Sequence, residues 1–192
     1  MKPYLLPLSF GLLLIQILNA CAPVIVAGAA TGASVANDRR TAGTVLEDQS
    51  IELKASNAIQ SDETLSKAVH VSATSFNNIV LLTGQAPTQA LRKRIVDHVS
   101  DIDKIRRIHN EITIEEPTSF KTRSNDTWIT TKAKSTLLGA KGLEATHIKV
   151  VTENGVVYLM GMVTRQKGDT AAKTVQQVTG VRRVVKVFEY IQ

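Results

Sequence analysis

The sequence predicts an α+β protein built from two tandem copies of one small unit, each running helix, strand, strand, helix, strand. Three internal matches carry this. "HVSATSFNNIVLLTG" (residues 70–84) aligns without gaps on "HIKVVTENGVVYLMG" (residues 147–161). Downstream, Val99, Ile102, Ile105, Ile108 and Ile112 recur as Val178, Val181, Val184, Val187 and Ile191, with two extra residues in the second copy. Upstream, "SIELKASNAIQ" (residues 50–60) matches "WITTKAKSTLL" (residues 128–138).

The elements follow in chain order. Residues 1–20 read as an export signal: Lys2 gives a positive start, and residues 5–18 are mostly apolar but too short to span a bilayer. "LNAC" (residues 18–21) resembles a bacterial lipoprotein signal, in which Cys21 is acylated and becomes the new N-terminus. Ala22, not Asp, follows it. The resemblance then implies an outer-membrane anchor with the body in the periplasm. Cys21 is the only cysteine, so no internal disulfide is available. Residues 21–46, rich in Ala, Gly and Thr, read as the lipidated N-terminus and a flexible tether.

The first unit is placed at residues 47–116, a linker at 117–123 and the second unit at 124–192. In each first helix a spacing of four puts Ile51, Ala55 and Ile59, or Ile129, Ala133 and Leu137, on one buried face. Turns at Asn77-Asn78 and Asn154-Gly155 close the hairpins. Gly84 and Gly161 end the second strands, where they allow close packing or a positive φ. A polar helix and a last strand complete each unit. The three strands should form a mixed sheet with both helices packed on one face. Each unit has about 70 residues, near the lower limit for a core of its own.

This order of elements, the glycine after the second strand and "VTGVRRV" (residues 178–184) resemble the BON domain. Two such domains behind a lipidated cysteine resemble the dual-BON outer-membrane lipoproteins, most specifically in "SNDTWITTK" (residues 124–132) and "TENGVVYLMG" (residues 152–161). The resemblance implies a periplasm-facing protein that binds anionic phospholipid, of phosphatidylglycerol or cardiolipin type, through the first helix of its second domain. It also implies support of outer-membrane integrity, a link to cell division, possible contacts with outer-membrane assembly or division-site proteins, and no catalysis.

Trp128, the only tryptophan, is the residue to explain. With Asn125 or Asp126 as N-cap and the helix starting near Thr127, Trp128 lies off the Ile129–Ala133–Leu137 face. Thr131, Ser135 and Leu138 share its stripe, with Lys132 and Lys134 close by. An indole suits the zone between headgroups and acyl chains. The first unit is an internal control: it keeps the core face but has Ser50, Leu53 and Gln60 where the second has Trp128, Thr131 and Leu138. Charge divides the same way. Residues 118–192 hold 12 Lys and Arg against 5 Asp and Glu, a net of +7; residues 41–117 hold 8 against 11, a net of −3. One partly inserted Trp and two lysines near an anionic surface amount to about 4–5 kcal/mol, or about millimolar affinity. That suffices when an anchor makes the contact intramolecular.

Other signals are weaker. His70 and His147 match in position but have no ligand cluster around them, so no metal or other cofactor is expected. "LRKRIVDH" (residues 91–98) reads as a solvated helix face. No nucleophile–base signature or phosphate loop appears, so an enzyme is not expected. The rival reading is a periplasmic interaction scaffold for envelope-assembly machinery, using the acidic first unit or a sheet edge. Nucleic-acid binding is disfavoured by the export signal and by the lack of a GXXG loop between helices.

Overall fold

The computed structural model describes residues 38–192. Cys21, the signal and the tether as far as residue 37 lie outside the described residues. Asn37–Gln192 form one compact unit, which contains both cores and every strand pairing of the two repeats, so this portion can fold alone.

The first repeat runs α1 (Ala42–Ser61), α2 (Glu63–Ala68), β1 (His70–Phe76), β2 (Ile79–Ala86), α3 (Gln89–Ser100) and β3 (Arg107–Ile114). The second runs α4 (Phe120–Gly139), a 3-10 turn (Ala145–His147), β4 (Ile148–Glu153), β5 (Val156–Val163), α5 (Arg165–Gln176) and β6 (Arg183–Tyr190). Each sheet is mixed: β1 pairs antiparallel with β2 and β2 parallel with β3, and the same holds for β4, β5 and β6. The parallel pair needs a crossover, which α3 or α5 supplies.

Each core lies between a sheet and its two helices. Ile51, Ala55 and Ile59 of α1 meet Val80, Leu82, Ile95 and Val99. Ile129, Ala133 and Leu137 of α4 meet Val157, Leu159, Ala171 and Val175. The hairpin turns have positive φ at Asn77 and Asn78, and at Asn154 and Gly155, as a two-residue turn of right-handed twist requires. Gly84 (φ 125°) and Gly161 (φ 155°) sit where a Cβ would fall 2.0 Å from the His70 carbonyl oxygen or 2.4 Å from that of His147. Only glycine lets the paired strands approach this closely.

The first helices begin earlier than the sequence reading placed them. α1 starts at Ala42, inside the stretch read as tether, with Thr41 as its cap. α4 starts at Phe120, taking up residues 120–123 of the stretch read as linker. Its N-cap is Ser119, whose hydroxyl accepts from Thr122 N–H, and not Asn125 or Asp126. Asp126 is buried mid-helix and instead accepts from the backbone N–H groups of Asn154 and Gly155, both at 2.8 Å. Asp48 does the same in the first repeat, accepting from Asn77 and Asn78 N–H at 2.8 Å and from the Ser75 hydroxyl at 2.6 Å. A helix carboxylate therefore staples each first helix to its own hairpin turn.

The helix-free faces of the two sheets pack on each other. Phe76 and Leu81 of the first unit join Tyr158, Met160 and Val187 of the second in a third apolar cluster. β2 and β5 are thereby covered on both faces, which is why they read as continuous apolar runs. Burial pushes the Tyr158 hydroxyl up to about 12. Polar links border the seam: Lys149 to Glu52 at 2.7 Å, Arg106 to Glu189 at 2.9 Å, and Gln85 to Glu153 at 2.8 Å. Gln85 also accepts from Thr118 of the linker. Where the chain enters the unit, Arg39 bonds Glu144 of the second repeat at 2.9 Å. Arg40 bonds Asp48 of the first at 2.7 Å and lies 4.0 Å from the centre of the Phe76 ring.

Candidate functional site

α4 is amphipathic in an unusual sense: its outer side is apolar in places, cationic, and free of exposed acids. Its buried face is fixed by Ile129, Ala133 and Leu137. Around the helix from these, Phe120, Ser124, Trp128, Thr131, Ser135 and Leu138 follow at steps of four, four, three, four and three residues, all exposed. Phe120 is 78% exposed, Trp128 51% and Leu138 67%. Phe120 to Leu138 spans about 27 Å along the helix axis.

Two threonines on this face bond within the helix. The Thr131 hydroxyl donates to the Thr127 carbonyl at 3.0 Å, and the Thr127 hydroxyl to the Arg123 carbonyl at 3.1 Å. Such back-bonding lowers the cost of moving a hydroxyl out of water. The Lys132 ammonium lies 3.9 Å from the centre of the Trp128 ring, so cation and indole are presented together. Lys134 lies on the other flank of Leu138, beside a shallow groove. Among the described residues Lys121, Lys134 and Lys141 make no ion pair, whereas Lys149, Lys167 and Lys186 of the same repeat do. Asp126, the sole acid of α4, is turned inward.

Trp128, Thr131, Ser135 and Leu138 thus lie on one stripe, with Lys132 joined to it through the indole and Lys134 flanking it. Part of the second repeat's positive charge is used elsewhere: Lys149 faces Glu52 across the seam, and Arg183 lies 4.0 Å from Glu111. The sequence expectation of a helix start near Thr127, seven residues later, leaves Phe120 off this face. The signal available was Pro117 followed by Ser119, a proline and a cap residue ahead of a helical run. Among the described residues no cluster of His, Cys, Asp and Glu could hold a metal ion, and no helix is long and apolar enough to cross a membrane.

A BON-domain family model matches residues 47–116 and 125–192. The chain belongs to the BON family. Relatives match over most of its length. The outer membrane lipoprotein DolP of Haemophilus influenzae is 35% identical over 174 residues, covering 91% of this chain and 90% of its own. A 21 kDa hemolysin of Actinobacillus pleuropneumoniae is 36% identical over 155 residues, covering 81% and 80%. Osmotically-inducible protein Y of Escherichia coli is 26% identical over 156 residues, covering 80% and 77%. The chain is therefore a dual-BON outer-membrane lipoprotein of the DolP family.

Proposed function

We propose that this lipoprotein faces the periplasm and docks α4 on anionic phospholipid of phosphatidylglycerol or cardiolipin type. In this reading its role is non-catalytic: it supports outer-membrane integrity and is linked to cell division. The observation that carries the proposal is the outer side of α4, where three exposed apolar side chains and unpaired lysines stand without an exposed carboxylate.

Covering the exposed half of the indole removes about 100 Å² from water, worth about 2.5 kcal/mol. Phe120 and Leu138 add roughly 1.5–2 kcal/mol each, and lysines near an anionic surface about 1 kcal/mol each. Part of this gain is lost to immobilisation on docking. The remainder gives a weak contact that an acylated Cys21 would make effective by confinement.

The test uses residues 37–192 with vesicles of neutral or anionic lipid, read by the fluorescence of the single tryptophan. The expected result is a blue shift with anionic vesicles only, weakened by salt, with Lys132→Gln lowering affinity. Trp128→Ser, followed by co-sedimentation, should bind roughly fifty-fold more weakly. Equal binding to neutral and anionic vesicles, or none to either, would refute the proposal.

One observation favours a scaffold role beside this one. α1 exposes Leu46 and Leu53, seven residues apart on one face, in the acidic repeat. Loss of a co-purifying envelope protein in a Leu46→Ser, Leu53→Ser double variant that still docks on vesicles would support it.

A further inference from the structure

Beside the C-terminal half of α4 lies a groove of about 190 Å³, lined by Lys134, Leu137, Leu138, Ala145, Ile148 and Val150 with Thr146. Leu137, Ile148 and Val150 are buried core residues and form its floor, while Lys134 and Leu138 are exposed at its rim. An apolar cavity of about 150 Å³ stays dry and admits a benzene-sized molecule. This groove is therefore large enough for several methylenes of an alkyl chain.

The first repeat builds the connection after its first helix differently. There the chain leaves α1 at Ser61, and Asp62 caps α2 through Thr64 and Leu65 N–H. Asp62 is itself held by Arg94 and His98, and Leu65 of α2 is fully buried in the core. In the second repeat Ala140 stands in the place of Asp62, and Gly142 takes a positive φ (78°). No counterpart of α2 forms. Leu143, the counterpart of Leu65, is only partly buried. The groove is open in the repeat whose first helix carries the Trp128 stripe, and Leu138 belongs to both.

We infer that this groove takes one acyl chain of an anionic bilayer phospholipid, a reading that rests on the docking of α4 proposed above. The floor offers only aliphatic carbon to the chain. Leu138 continues the stripe into the groove, so a lipid lying under α4 reaches it without leaving the surface. Lys134 at the mouth has no ion-pair partner and stands where the phosphate of that lipid would lie. The aliphatic floor and the free cation at the mouth match an acidic lipid better than a peptide segment.

The test uses residues 37–192 and phosphatidylglycerol vesicles whose acyl chains carry a photoactivatable diazirine, with labelled sites mapped by mass spectrometry. Trypsin releases the outer groove wall as residues 142–149, separate from the Trp128 peptide at 124–132. The expected result is strong labelling of 142–149. Ala145→Leu, and the milder Ala145→Val, should reduce it, at least fivefold for leucine, while the Trp128 blue shift persists. Circular dichroism checks the fold of each variant. A Trp128 response with no label in 142–149 in the unsubstituted protein would overturn the groove and leave α4 docking intact. Label in 142–149 that neither variant reduces would also overturn it, because the contact would then be superficial. No Trp128 response and no label anywhere would overturn both readings.

Discussion

Asp126→Ala should be among the most destabilising single changes outside the apolar core. The Asp126 carboxylate is buried and accepts two backbone N–H groups of the Asn154-Gly155 turn at 2.8 Å. Hydrogen bonds to an ionised group contribute about 1.5–3 kcal/mol each, and a donor left unsatisfied costs about 1–3 kcal/mol. Removing the acceptor from both N–H groups should then cost about 3–5 kcal/mol, a large share of the 5–15 kcal/mol by which domains are stable. Asp126→Asn keeps one oxygen in place and should cost about 1–2 kcal/mol. Asp48→Ala should cost at least as much as Asp126→Ala, since Asp48 also holds Ser75 and Arg40. The assay is urea unfolding of residues 37–192 followed by circular dichroism, comparing midpoints at constant slope. An Asp126→Ala protein within about 1 kcal/mol of the parent, or no less stable than Asp126→Asn, would refute the staple.

Phe120→Ser should weaken binding to anionic vesicles about tenfold to thirtyfold while leaving the unfolding midpoint unchanged, because the ring is exposed; unchanged binding would confine the stripe to residues beyond the first turn of α4. Gly84→Ala combines a φ of 125° with a Cβ 2.0 Å from the His70 carbonyl oxygen. It should lower stability by about 3–4 kcal/mol in urea unfolding. Lys167 and Arg39 beside Glu144 hold its carboxyl down to about 2. Because the folded value lies below the ordinary 4.5, the stability it adds is complete above about pH 4.5 and is lost as pH falls toward 2. Melting curves from about pH 6 to about pH 2.5 should show the gap between the parent and Glu144→Gln closing on acidification, and narrowing at all pH values with added salt.

The repeat made most of the fold legible. Ile51, Ala55, Ile59 and their counterparts lie in the cores because a spacing of four on a helix leaves one face for them. The hairpins turn at Asn77-Asn78 and Asn154-Gly155 because asparagine and glycine tolerate positive φ. The helix starts were misplaced for a local reason. Asp126 looks like a cap in sequence, and only the folded hairpin, nearly thirty residues on, reveals what its carboxylate accepts. The packing of sheet on sheet is absent from the sequence expectations, although Ile79–Leu82 and Val156–Met160 run apolar without alternation, the mark of a strand covered on both sides. The charge imbalance between repeats was legible. Its division between seam and helix surface was not, since it depends on which cations meet acids across the seam.

Arg39 and Arg40 give the fold a mechanical property. They are neighbours in the chain, yet one grips the second repeat at Glu144 and the other the first at Asp48 and Phe76. A pull transmitted from the N-terminal side would arrive at both repeats together before reaching the first turn of α1. The load would be divided across two bodies already pressed together, instead of peeling a single helix from its end. For a protein held to a membrane by one end, this is an entry point suited to tension.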